Sequence, residues 1–142
     1  MSEITIRNIR KEDNHELSRI VKGTLAEFGA NHPNTVYYDP RTDALFEEFQ
    51  KERSIYFIAE KDNEMLGGAG IYPTEGLDND TCELVKMYLL PHARGAGLGR
   101  RLIEKCLASA KELGYKQVYL ESMPELKQAL KVYAKFGFEY LK

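Results

Sequence analysis

Apolar residues recur along the chain in two rhythms, one of two residues and one of three to four. "EITIRNI" alternates and predicts a strand over residues 3–9. In "DNHELSRIVKGTLAEF", Leu17, Ile20, Val21, Leu25 and Phe28 share one helical face, and Asp13 with Glu16 three residues on has the form of a capping box. Asp39 and Pro40 suit the N-cap and first position of a shorter helix that carries Leu45, Phe46 and Phe49. "SIYFIAE" and "EMLGGAGIYP" read as a hairpin closed at Asp62-Asn63, and "TEGLDND" as a loop.

"TCELVKMYLL" is apolar on both parities for much of its length, the mark of a central strand covered on both faces. After a glycine-rich stretch, Leu102, Ile103, Cys106, Leu107, Ala110 and Leu113 form one helical face that stops at Gly114, a good C-cap. "QVYLES" predicts a further strand, residues 124–136 a further helix, and "FEYL" a last short strand. The order β-α-α-β-β-β-α-β-α-β, with no internal repeat, predicts an α/β protein with a mixed sheet flanked by helices.

Composition narrows the function. With 142 residues, 43% of them apolar, the chain fits one domain over 1–142 with a proper core. No apolar run approaches the roughly 18 residues of a membrane span, and "MSEITIRNIRKED" lacks the apolar centre of a secretion signal. The expectation is a cytoplasmic protein with no membrane partner. Cys82 and Cys106 stand in no CxxC or Cys/His cluster and read as packing residues; His15, His32 and His92 have no metal-ligand spacing, so no metal is expected.

The net charge of −2 argues against a nucleic-acid binder. Its distribution is uneven. Residues 1–93 hold 10 Lys/Arg against 17 Asp/Glu, a net −7, whereas residues 94–142 hold 10 against 5, a net +5. Such a division suits an anionic ligand on the second half and a cationic one approaching from the first, or else ordinary variation in solvated surface.

The basic half begins at "ARGAGLGRR", between a strand and a helix. A helix that starts there presents N–H groups without intrahelical partners and about half a positive charge from its macrodipole. Glycines at 95, 97 and 99 keep side chains away from those amides, and Arg94 and Arg100 add charge. The loop therefore suits a phosphate-bearing ligand; the alternative is a tight turn with no ligand. A dinucleotide fingerprint needs a glycine where Arg100 stands, and a Walker A loop ends in GK[ST], so both nucleotide readings weaken.

Arg94-Gly95-Ala96-Gly97-Leu98-Gly99 reads R-x-x-G-x-G, and with the preceding "CELVKMYLLP" it resembles the acetyl-CoA-binding motif of the GNAT N-acetyltransferases. The resemblance extends over nearly the whole chain. It includes the ending "ALKVYAKFGF", with Tyr133 four residues before a glycine and a phenylalanine.

The resemblance implies the GNAT fold, acetyl-CoA as cofactor and acetyl transfer to a primary amine of a small molecule or an exposed amino group. The amides from Arg94 to Gly99, including those of Gly95, Ala96, Gly97 and Leu98, would cradle the pyrophosphate, with Arg100 adding phosphate contacts. The backbone of Met87 and Leu89 would pair with the pantetheine arm, in a gap where the central strand and the one holding Val118 to Glu121 splay apart. Glu83 is the first candidate for the base that deprotonates the amine, a salt-bridged strand-end carboxylate being the alternative; Glu121 and Glu75 are weaker candidates. Tyr133 occupies the place of the general acid that protonates the leaving thiolate.

Two departures from the family pattern stand out. An asparagine that many relatives carry early in the last helix is missing, and Gln128 is the substitute at hand. The chain ends at Lys142 after a sixth strand where the family has a seventh, so the edge is exposed, covered by a second copy in a homodimer, or completed by residues beyond this sequence. The acceptor would lie against the first helices and the loop after the hairpin, where Tyr37, Tyr38, Asp39, Tyr72, Glu75, Asp78 and Asp80 form an acidic, aromatic wall suited to a cationic amine. Tyr37, Tyr72 and Glu75 are the named candidates. The rival class is a non-catalytic module that senses acyl-CoA.

Overall fold

The computed structural model describes residues 4–27, 40–74, 76–94 and 97–119. These form, in order, β1 (Thr5–Asn8), α1 (Asn14–Glu27), α2 (Leu45–Glu48), β2 (Ile55–Lys61), β3 (Glu64–Tyr72), β4 (Thr81–Leu89), α3 (Leu98–Glu112) and β5 (Gln117–Tyr119), with 3-10 turns at Lys11–Asp13, Pro40–Asp43 and Pro91–Ala93. The helix expected over 124–136 and the short strand after it lie outside the described residues.

The strands form one mixed sheet in the order β1-β2-β3-β4-β5. Every pairing is antiparallel except β4 with β5, whose parallel step needs a crossover; α3 supplies it. The β2–β3 hairpin closes at Asp62 and Asn63, whose φ values of 53° and 66° are both left-handed. That is the turn geometry that follows the natural twist of paired strands, and Asp and Asn tolerate it best after glycine.

Helices cover both faces. On one, Leu98, Leu102, Ile103, Cys106, Leu107 and Ala110 of α3 pack on Phe57, Ala69, Ile71, Cys82 and Leu84 of the sheet. On the other, Leu17, Ile20 and Val21 of α1 pack with Leu45, Phe49, Tyr56, Ile58 and Met65. Each fully buried Leu or Ile contributes about 1.5–3 kcal/mol from removal of apolar surface from water. Burial pushes the Cys82 thiol up to about 12 and the Cys106 thiol higher still, in keeping with packing roles.

The helix starts differ from the expectations. Asp13 does not cap α1 in partnership with Glu16. It closes a turn one step earlier, its carboxylate accepting the Arg10 N–H at 2.7 Å and two hydrogen bonds from the Arg7 guanidinium at 2.8 and 2.9 Å. The arginine one position before the end of β1 thus competes successfully for the carboxylate. Likewise Pro40 opens a 3-10 turn, and α2 begins only at Leu45. The Phe46 N–H at its start is satisfied by Asn14 Oδ1 of α1 at 2.8 Å, a cap supplied across the helix pair.

The end of α3 follows the expectation closely. Gly114 has φ 91°; its N–H donates to Lys111 O at 3.1 Å and the Tyr115 N–H to Ala110 O at 3.0 Å, the paired bonds of a Schellman motif. A Cβ on Gly114 meets nothing closer than Arg53 Nη2 at 3.7 Å, so conformation alone demands glycine. Gly114→Ala is expected to cost about 1 kcal/mol and to lower the melting temperature by about 4 °C. A thermal melt checks this, and an unchanged midpoint would refute the strain account.

Candidate active site

β4 carries the residues around which the site is built, and its pairing with β3 is irregular. Gly70 pairs with Val85 and Gly68 with Tyr88, so β4 spends three residues where β3 spends two. The extra residue is a bulge marked by Lys86 at φ 54°, left-handed and unusual for lysine. A bulge reverses side-chain alternation. Cys82 and Leu84 face α3 before it, and Met87 and Leu89 face α3 after it, while Val85, Tyr88 and Leu90 turn to the α1 side. This is why the strand reads as apolar on both parities. β4 lies fourth in the described sheet, with β3 in the middle, and only its first half is largely buried.

The bulge also sorts the main chain. The Leu90 N–H donates to Leu66 O of β3 at 2.9 Å, so Met87 and Leu89, three and one positions earlier, direct their amides toward the opposite edge. Pairing with β5 on that side covers Thr81 to Glu83 among the described residues.

From Leu89 the chain passes through a 3-10 turn into the glycine loop. Gly97 is the N-cap of α3 at φ 80°, with no side-chain cap. The first intrahelical bond runs from Arg101 N–H to Gly97 O at 3.1 Å, so the amides of Leu98, Gly99 and Arg100 precede the ladder. The first turn has no acidic residue. A Cβ on Gly97 would meet nothing within 4 Å, whereas one on Gly99 would stand 3.0 Å from Met87 Cε. Gly97 therefore serves the backbone turn, and Gly99 lets the helix approach β4 closely. The Leu98 side chain is buried in the core. An uncapped, acid-free helix start beside two arginines fits an anionic phosphate group.

The arginines have other engagements. The Arg94 N–H donates to Pro91 O at 3.3 Å. Its guanidinium holds Glu27, the last residue of α1, through bonds of 2.7 and 2.9 Å and donates to Leu89 O at 3.0 and 3.2 Å. The Arg94 hydrogen bond keeps the Glu27 carboxyl below its ordinary range. Arg100 is exposed and pairs with Glu104 one turn on, at 2.9 Å. Such a solvated pair contributes only about 0.3–0.5 kcal/mol and yields readily to a phosphate.

Glu83 lies in the buried half of β4, opposite Tyr72 of β3 and Tyr119 of β5. Its carboxylate accepts the Thr74 hydroxyl at 2.7 Å, and among the described residues no cation pairs with it. Strand alternation puts Glu83 on the same face as Val85 and Tyr72, the face covered by α1 and α2. The Tyr72 ring meets Phe49 edge-on at 5.4 Å. Glu83 and Tyr72 are thus brought together, while Met87, Leu89 and the α3 start lie toward the other face. Tyr37, Glu75, Gly95, Ala96, Glu121, Gln128 and Tyr133 lie outside the described residues. Thr74, the Lys86 bulge and the Glu27 contact have no counterpart in the sequence reading. Glycines at 67, 68 and 70 inside a strand were the available signal of a close approach.

A crossover helix with a bare N-terminus follows the bulged strand and can receive an anionic group, while that strand's other face holds a carboxylate. The sequence model of the Acetyltransferase (GNAT) family matches residues 18–138. The uncharacterized N-acetyltransferase YjgM of Escherichia coli (strain K12) is 37% identical over 138 residues, covering 96% of this chain and 82% of the relative. Among solved structures, yncA of Salmonella typhimurium, a putative acetyltransferase with its cofactor acetyl-CoA, superposes with TM-score 0.77 at 23% identity, over 96% of this chain and 79% of its own. The aminoglycoside N-acetyltransferase AAC(6')-Iy in complex with CoA gives 0.72 at 24%, over 100% and 91%. The chain belongs to the GNAT family of acetyltransferases and is an enzyme of that family. Among the described residues no helix is long and apolar enough to cross a membrane.

Proposed function

We propose that this chain acetylates a primary amine, on a small molecule or an exposed amino group, by direct attack on the thioester. The observation that carries the reading is the α3 start: Gly97 in a left-handed turn, no side-chain cap, no acid in the first turn. The amides of Leu98, Gly99 and Arg100 hold the pyrophosphate with help from Arg100, and from Gly95 and Ala96 in the same loop. The Met87 and Leu89 main chain pairs with the pantetheine, with Gln128 as a further contact. Acetyl-CoA supplies the acetyl group as a reactive thioester.

Glu83 removes a proton from the attacking amine, directly or through water, and Tyr133 gives its phenolic proton to the leaving sulfur. An alkyl ammonium with a pKa near about 10.4 is mostly protonated at neutral pH, which is why a base is needed. Glu83 is suited by its bond to Thr74 and by having, among the described residues, no ion pair that would tie its charge down. The acceptor lies on the α1 and α2 face against Tyr72, with Tyr37 and Glu75 completing an acidic, aromatic wall. The structural neighbour named for aminoglycosides supports a small amine-bearing acceptor.

Calorimetry is expected to detect binding of acetyl-CoA and not of ATP or NAD. A panel of amines with acetyl-CoA and a thiol reagent is expected to release CoA with cationic acceptors; activity confined to neutral or anionic ones would overturn the acceptor assignment.

A further inference from the structure

We propose that Tyr56 is a positioning residue for cofactor capture, its hydroxyl holding the β4 bulge that turns the Met87 and Leu89 main chain toward the pantetheine. The inference rests on the cofactor reading above. Tyr56 stands on β2, two strands away from the site, and is 1% exposed. Its ring crosses β3 where that strand has no side chains: a Cβ on Gly68 would come within 2.6 Å of Tyr56 Cε1, and one on Gly70 within 2.7 Å of Cδ2. The hydroxyl emerges on the far side and donates to Lys86 O at 2.6 Å.

That carbonyl belongs to the extra residue of the bulge, which has no place in the β3 ladder. Buried without a partner it would be costly, and the left-handed φ of 54° at Lys86 adds strain. The phenol answers the first cost and so allows the second. Burial pushes Tyr56 well above the ordinary phenol range, so it stays a donor at any working pH. Without the bulge, alternation would carry Met87 and Leu89 to the α1 face and reverse their amides.

The test compares variants for CoA affinity by calorimetry and for the KM of acetyl-CoA and of an amine. Tyr56→Phe keeps the ring and loses only the bond. CoA affinity is expected to fall about tenfold, and the KM for acetyl-CoA to rise in step, with the KM for the amine unchanged. Lys86→Gly and Lys86→Val supply a second measurement, at a half-buried position. Both lose the same side chain and differ in tolerance of a left-handed φ, so Val is expected to bind CoA about tenfold more weakly than Gly.

Tyr56→Phe combined with Lys86→Gly is expected to recover part of the affinity, because glycine removes the left-handed strain while the carbonyl at position 86 still lacks the phenol. Wild-type binding with equal affinity in Tyr56→Phe, or in Val and Gly at 86, overturns this inference alone. A wild type that does not bind CoA overturns the cofactor site and this inference with it.

Discussion

Tyr133→Phe is expected to lower kcat by about a hundredfold while leaving the dissociation constant for CoA unchanged. The expectation follows from what each state of the reaction needs. In the ground state the sulfur is part of a thioester and carries little charge, so a hydroxyl nearby adds little to binding. As the bond to carbon breaks, the sulfur becomes a thiolate, and a positioned phenol both donates to that charge and surrenders its proton. An unperturbed phenol has a pKa near about 10 and is protonated at pH 7, ready to donate. Phenylalanine keeps the ring and its packing. Steady-state rates with a thiol reagent, beside calorimetry on the same preparation, read the two quantities separately. An unchanged kcat would remove Tyr133 from the mechanism and favour a module that holds acyl-CoA without turnover.

Much of the scaffold was legible in the sequence because its signals are local. Asp62-Asn63 could be read as a turn because both residues tolerate the left-handed geometry they adopt. The α3 face from Leu102 to Ala110 and its stop at Gly114 follow from helical spacing and from one residue without a Cβ. Other features depend on partners distant in the chain. Nothing in "LVKMY" marks Lys86 as the extra residue of a bulge, since the bond that stabilises it comes from Tyr56, 30 positions earlier. Asp13 resembled a helix cap until Arg7 of the neighbouring strand claimed it. Arg94, placed by the motif among the phosphate ligands, is also held by Glu27, 67 positions away. The site is legible as a motif, then, but its charge partners and its strand irregularity are products of tertiary packing.

Glu83→Gln provides the sharper test of the acceptor side. At neutral pH the loss of the carboxylate is expected to lower kcat/KM for an alkyl amine by about a hundredfold, within the usual range for removal of a general base. The amide oxygen of glutamine can still accept the Thr74 hydroxyl, now at 2.7 Å from the carboxylate, so the local structure and the melting temperature should hold. The defect should also depend on pH in a definite direction. An acceptor amine with a pKa of about 10.4 stays mostly protonated up to pH 9.5, but its neutral fraction, which needs no base, grows roughly tenfold for each pH unit in that range. The ratio of wild-type to variant kcat/KM is therefore expected to be largest near pH 7 and to narrow toward pH 9.5. A ratio that stays constant across that span would mean that Glu83 supports the strand or the substrate without taking the proton. The base would then have to be sought at Glu121 or Glu75, and the same pH comparison applied to Gln variants at those two positions would find it.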